Sequence, residues 1–162
     1  ARSDIFPFVM NVHQQTTATG VGGVGTNKGG VMVSLEVFST RFQFLNSHLA
    51  AHQSKVKERN RDYSSICRDI VADRHRMELK SSAHHFFWMG DLNYRIDWGE
   101  QTGDKQPSQQ DFQDLLGQVQ LGNSDILAGM DQLAAEIDAG NAFSGFTESA
   151  RTFPPTFKVL PQ

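Results

Sequence analysis

An α/β fold with a mixed β-sheet is what this 162-residue sequence predicts. Two observations carry it. Runs that alternate at the two-residue period of a strand are interleaved with runs whose apolar residues recur at helical spacing. Two strand-like runs, Val31 to Phe38 and Arg41 to Leu49, are separated by Ser39-Thr40 alone, which points to a hairpin and adds an antiparallel pair to the sheet.

Ile5 to Val12 reads as an opening strand, with Pro7 placing its start at an edge or a bulge. A glycine-rich loop from Gly20 to Gly30 follows. Next, Val31, Val33, Leu35 and Val37 alternate with Met32, Ser34, Glu36 and Phe38, the clearest strand in the chain. In the other arm of the hairpin Phe42, Phe44, Asn46 and His48 share a face. From about Gln53 to Leu79, Val56, Tyr63, Ile66, Cys67, Ile70, Val71 and Met77 mark one long amphipathic helix. A strand from His84 to Asp91 and a polar loop from Asp97 to Gln109 come next. Phe112, Leu115, Leu116 and Val119 predict a short helix. A second is predicted from Ile126 to Ile137, begun by Asn123 or Ser124 and stopped near Gly140. The tail from Phe143 to Gln162 is too aromatic for a solvated linker. No repeat or domain boundary is visible.

The net charge is −3 and the isoelectric point near 6.0, which argues against nonspecific binding to nucleic acid or acidic membranes, although a local basic pocket is compatible with it. Cys67 is the sole cysteine, so neither a disulfide framework nor a cysteine metal cluster is available, and a reducing, cytoplasmic setting is expected. No apolar run approaches the roughly 18 to 20 residues that span a bilayer. At this length a single domain burying roughly 70% of its unfolded surface is feasible.

Phe87-Trp88-Met89-Gly90-Asp91-Leu92-Asn93-Tyr94-Arg95 is the stretch richest in chemistry. An apolar run ends at Gly90 and presents a carboxylate and a carboxamide two residues apart, as a buried strand does where it opens into a catalytic cleft. Continued in extended form, Asp91 and Asn93 share a face, one to take a proton from water and the other to hold an oxygen. Hydrolytic chemistry follows from that pair. Arg95 either clamps a phosphate or braces Asp91. His48, ending Asn46-Ser47-His48-Leu49, is a structural residue if taken alone and a site residue if set beside Asp91. Arg59, Asn60, Arg61 and Asp62 lie on the long helix, where charged runs ordinarily face solvent. His84 and His85 are adjacent, so a strand points them to opposite faces, and they read as structural.

Gly20-Val21-Gly22-Gly23-Val24-Gly25 satisfies the dinucleotide-binding spacing, but the loop runs into a strand of β-branched residues and not a helix, so the required strand-loop-helix unit is absent. What remains is either an ordinary glycine-rich turn or a backbone suited to approach an anion, with Asn27 and Lys28 at its end.

These motifs resemble those of the inositol polyphosphate 5-phosphatases. The 87–95 stretch is similar to that family's WxGDxNYR signature. Three further matches occur in family order: Thr26-Asn27-Lys28-Gly29-Gly30-Val31; Asn46-Ser47-His48-Leu49 followed by Arg59-Asn60-Arg61-Asp62-Tyr63; and Gly145-Phe146-Thr147-Glu148 leading to Thr152-Phe153-Pro154-Pro155-Thr156-Phe157-Lys158. The resemblance covers nearly the whole chain. It implies part of a four-layered α/β sandwich, the endonuclease/exonuclease/phosphatase fold, and Mg²⁺-dependent removal of the 5-phosphate from inositol phosphates or phosphoinositides. By the same resemblance Asp91 orients and deprotonates the attacking water, Asn93 holds that water or a phosphoryl oxygen, and His48 bonds the phosphoryl group. Asn27 and Lys28 then lie near the 1-phosphate and Lys158 at the 4-phosphate. The loop tip from Val21 to Val24 would face lipid in a peripheral contact at the cytosolic side of a membrane, or solvent.

The sequence departs from the family pattern at Thr26, usually Gly, and at Phe157-Lys158-Val159, usually Tyr-Lys-Tyr. Family domains are also much longer. The expectation is a single incomplete catalytic domain over residues 1–162, with the main metal ligands in a preceding segment, none within this chain, and little or no activity alone. The alternatives are a nuclease or sphingomyelinase of the same fold and a noncatalytic phosphoinositide-binding module.

Overall fold

The computed structural model describes residues 2–19, 27–71, 83–97, 108–123 and 125–149. They fall into two compact units, Ala1–Asn93 and Tyr94–Gln162.

In the first unit a short 3₁₀ turn, Phe6–Phe8, precedes β1 (Val9–Ala18), followed by β2 (Gly29–Val37), β3 (Thr40–His48), α1 (Val56–Val71) and β4 (His85–Asp91). The opening strand therefore starts later than its composition suggested. Pro7 lies in the 3₁₀ turn, where its locked φ and missing N–H are harmless, and the ladder begins after it. Met10 to His13 contains a register shift, with Asn11 at φ 51°. β2 and β3 form the expected hairpin. Val37 pairs with Thr40 across a two-residue loop whose first residue, Phe38, adopts φ 56°, as a primed turn demands.

The strands lie in the order β1-β2-β3-β4, antiparallel except for the parallel pair β3-β4, which the crossover carrying α1 makes possible. The sheet is mixed, as the strand and helix pattern predicted. Pleating gives it two unlike faces. Gln43, Leu45 and Ser47 of β3 are buried with Met32 of β2, and Ile66 and Ile70 of α1 are buried with them. Tyr63 of α1 meets Trp88 of β4 at 5.1 Å between ring centroids. Full burial of Leu45, Leu49 and Ile66 stabilises the unit by about 1.5–3 kcal/mol each. Gly30 lets the helix close on the sheet, because a Cβ there would stand 3.1 Å from Ile66 Cγ2. The opposite face carries Val31, Phe44, Phe87 and Met89, all exposed. Residues 72–79 of the expected helix lie outside the described residues.

The second unit contains α2 (Gln109–Gln120), α3 (Asp125–Gly129) and α4 (Gln132–Asp138). Ser108 and Asp111 close a capping box at the start of α2. The single helix expected over 126–137 is two helices. Asp131 interrupts it: its backbone is extended, it bridges to Ile96, and its side chain accepts the Leu133 N–H at 2.7 Å as the N-cap of α4. The stop near Gly140 is as expected, with Gly140 at φ 71° just past the last turn. Leu133, Ala142 and Phe143 are buried in this unit, and Phe143 meets Tyr94 and Phe146 edge-on.

Candidate active site

Parallel pairing of β3 and β4 sets Phe42 opposite His85, Phe44 opposite Phe87, and finally His48 opposite Asp91. Two residues 43 positions apart in sequence become neighbours on one face at the C-terminal ends of their strands. His48 Nε2 lies 3.5 Å from Asp91 Oδ2, with the His48 side chain about half exposed and that of Asp91 more so. Leu49 extends the join, its N–H donating to the Asp91 carbonyl at 3.0 Å.

Beyond Asp91 the chain leaves the strand. Asn93 adopts φ 59°, its N–H donates to Asp91 Oδ1 at 3.2 Å, and its Nδ2 donates to the Leu49 carbonyl at 2.9 Å. Asn93 is thus brought beside Asp91, but through a tight turn and not by the continued strand that the spacing suggested. The turn orients the carboxylate: Oδ1 accepts the backbone donor and Oδ2 is the oxygen directed to His48. Gly90 makes the approach possible. It has φ 126°, and a Cβ there would stand 2.1 Å from the Ser47 carbonyl oxygen.

Lys28 ends the β1-β2 hairpin, its carbonyl accepting the Thr19 N–H at 3.0 Å. Its ammonium reaches His48, Nζ against Nε2. Asn27 precedes it and is exposed. The structure therefore gathers Lys28, His48, Asp91 and Asn93 at one end of the sheet. Arg95 belongs to the second unit, where its N–H donates to Gln132 Oε1 and its carbonyl accepts the Gln132 N–H, both at 3.0 Å. Lys158 and the loop from Val21 to Val24 lie outside the described residues.

Sequence reading missed the support beneath His48. Arg59 was expected to face solvent and is fully buried, because its stem lies on the stripe shared with Ile66 and Ile70 and its guanidinium reaches backbone oxygens. It donates to the carbonyls of Ala50, His52 and Gln53 at 3.3, 2.7 and 3.5 Å. Asp62, one turn on, accepts the Ala50 N–H at 2.9 Å. The two hold the segment that follows His48. The available signal was their spacing: 59, 62, 66 and 70 continue a single helical stripe. Burial pushes the Asp62 carboxyl above its ordinary value, against the Ala50 N–H, the Thr19 hydroxyl and the charges of Lys28 and Arg61, which pull it down.

Among the described residues no three His, Cys, Asp or Glu side chains converge as a metal centre. Asp91 and Asn93 are too few oxygen donors for a hard divalent cation, so they do not by themselves fit one.

Residues 1–162 match the family model described as Endonuclease/Exonuclease/phosphatase family 2. The chain belongs to that family. Within the endonuclease/exonuclease/phosphatase family its likeness is to inositol polyphosphate 5-phosphatase domains. It is 39% identical over 162 residues to the polyphosphatidylinositol phosphatase INP53 of Saccharomyces cerevisiae, covering 99% of this chain and 14% of that protein. Over 152 residues it is 39% identical to human synaptojanin-1, covering 94% of this chain and 9% of that protein. A crystal structure of the inositol polyphosphate 5-phosphatase domain of SPsynaptojanin, in complex with inositol (1,4)-bisphosphate and calcium ion, superposes with a TM-score of 0.75 at 30% identity. That match covers 96% of this chain and 41% of that one. Cimex nitrophorin, at TM-score 0.63 and 20% identity, shares the fold alone. The chain thus spans a small part of the curated relatives it matches, and less than half of the phosphatase-domain structure.

Proposed function

We infer that the protein to which this chain belongs hydrolyses the 5-phosphate of phosphoinositides or inositol polyphosphates. The observation that carries this reading is the pairing of His48 with Asp91 at the ends of two parallel strands, with Lys28 against the same histidine. Relatives acting on polyphosphatidylinositol, and a structural relative holding inositol (1,4)-bisphosphate, supply the substrate class.

Asp91 is the base. Its carboxylate, oriented by the Asn93 N–H, takes a proton from water as the water oxygen attacks phosphorus and the bond to the inositol 5-oxygen breaks, the departing oxygen taking a proton from solvent to become the hydroxyl. His48 hydrogen-bonds the phosphoryl group as negative charge shifts across it. Asn93 anchors the turn that aims Asp91 and stands beside the attacking water. Asn27 and Lys28 bind the 1-phosphate, Lys158 the 4-phosphate, and Arg95 supports phosphate binding. Mg²⁺ is the cofactor of the whole protein in this reading, and Asp91 and Asn93 alone would not hold it. The setting is cytoplasmic, with peripheral membrane contact through Val21 to Val24, and no nucleic acid as partner.

The test is phosphate release from phosphatidylinositol 4,5-bisphosphate vesicles and from inositol 1,4,5-trisphosphate, with and without Mg²⁺, by this chain and by a longer form of the protein. Release is expected from the longer form with Mg²⁺ and to be weak or absent from this chain. Asp91→Ala in the longer form lowers kcat by about 10²–10⁴ with little change in KM. Binding without release by the longer form would replace the enzyme with a phosphoinositide-binding module.

A further inference from the structure

The contact between Lys28 and His48 raises a question of proton placement. An ammonium offers three donors and no acceptor, so where Lys28 Nζ bonds His48 Nε2 that nitrogen must supply its lone pair, and the ring proton resides on Nδ1. The same Nε2 faces Asp91 Oδ2 at 3.5 Å. A carboxylate only accepts. Through Nε2, His48 can donate to Asp91, or to a phosphoryl oxygen, only if that nitrogen carries a proton. The two arrangements exclude each other, because one nitrogen cannot accept from Lys28 and donate elsewhere at the same time.

We propose that Lys28 is a positioning residue that holds His48 Nε2 as an acceptor while the site is empty, and that a phosphate group of the substrate releases the ring by drawing the Lys28 ammonium to itself. The proposal rests on the substrate class inferred above.

Three features make the exchange physically reasonable. Lys28 sits where the β1-β2 hairpin meets the end of β3, and Gly29 pairs directly with His48 in the ladder, so the backbone holds the two side chains together without help from substrate. The His48 side chain is about half exposed, so an entering anion has access. A phosphate oxygen is a charged acceptor and competes well for the ammonium against a neutral imidazole, since charge-assisted hydrogen bonds are roughly twice as strong as neutral ones. Asp62, whose carboxylate feels the Lys28 charge, and Asp91, beside the ring, are the acidic groups bearing on the pair. Released from Lys28, Nε2 takes a proton and becomes the donor that the phosphoryl group and Asp91 both require. No group leaves the protein in this step; the ring proton redistributes through solvent from Nδ1 to Nε2.

Ring-nitrogen resonances of His48 in this chain, labelled with ¹⁵N-histidine and assigned by the loss on His48→Gln, decide the matter. The wild type is expected to show a lone-pair Nε2 and a protonated Nδ1. Lys28→Met, which removes the donor, shifts Nε2 toward the protonated position, and Lys28→Arg, which restores a donor without an acceptor, returns it. Adding inositol 1,4,5-trisphosphate to the wild type moves Nε2 as Lys28→Met does and leaves the Lys28→Met spectrum unmoved; inorganic phosphate serves as the probe lacking the inositol ring. Identical ring states in wild type and Lys28→Met overturn the proposal. If the trisphosphate binds, seen in its own ³¹P resonances, and the ring does not move, the release step is overturned while the substrate reading stands. If neither phosphate binds this chain although the Lys28 variants differ, the release step is overturned, and the substrate reading is decided separately by phosphate release from the longer form.

Discussion

Gly90 shows how one residue decides whether His48 and Asp91 can meet. Its φ of 126° and the 2.1 Å separation between a hypothetical Cβ and the Ser47 carbonyl oxygen mean that no other residue fits without moving the β3-β4 ladder beside His48 and Asp91. Gly90→Ala is expected to destabilise the chain by about 3 kcal/mol through backbone strain. A melting temperature within error of wild type would show that the ladder yields more easily. Asp62 makes a second prediction, with a sign set by its raised carboxyl. Because the folded-state value lies above the unfolded one, folding disfavours the charged form. The resulting cost to stability is present at neutral pH, starts to fall as the pH drops through the folded-state value, and is gone below the unfolded one. Asp62→Asn keeps an acceptor for the Ala50 N–H and removes the charge. It is therefore expected to be at least as stable as wild type at pH 7, with the advantage shrinking toward pH 4. Thermal melts across that range check it, and an advantage that grows on acidification would reverse the assignment.

The helices were legible in outline because apolar spacing is a local property, but their ends and interruptions were not equally so. The run over 126–137 has one uninterrupted helical pattern, yet Asp131 breaks it because an extended backbone there both bridges Ile96 and caps α4. A carboxylate in mid-pattern competes with the helix by bonding a nearby N–H, and only the bridge to Ile96 determines which wins. Asp131→Ala is expected to cost about 1 kcal/mol, the usual value of a lost N-cap. A fall in melting temperature together with reduced hydrogen-exchange protection at Leu133 is the expected result. Unchanged protection there would mean that the bridge to Ile96 alone ends the preceding helix. In α1, Arg59 shows the converse. Its type suggested solvent, while its position on the stripe of Ile66 and Ile70 placed it inside, with the carbonyls after β3 as partners.

The first unit buries one sheet face under α1 and leaves Val31, Phe44, Phe87 and Met89 exposed on the other. Phe44 and Phe87 stack at 5.2 Å across the parallel pair, so the exposed residues form a row and not scattered points. In the four-layered sandwich expected from the sequence, such a face is where a second sheet packs. Phe44→Ser with Phe87→Ser is expected to reduce self-association of this chain, followed by light scattering, because contiguous apolar surface drives association in water. Unaltered association accompanied by a large loss of melting temperature would instead make these rings part of the core. By itself the sequence determined the class of fold, the hairpin, the strand carrying Asp91 and the family to which the chain belongs, since periodicity and contiguous motifs are written in neighbouring residues. Only the tertiary structure decided that His48 stands opposite Asp91, that Asn93 reaches it through a turn, that Lys28 meets the same histidine, and that Arg59 is buried. Each of those depends on strand register or helix docking, which bring together residues far apart in the chain and are fixed by packing, not by local preference.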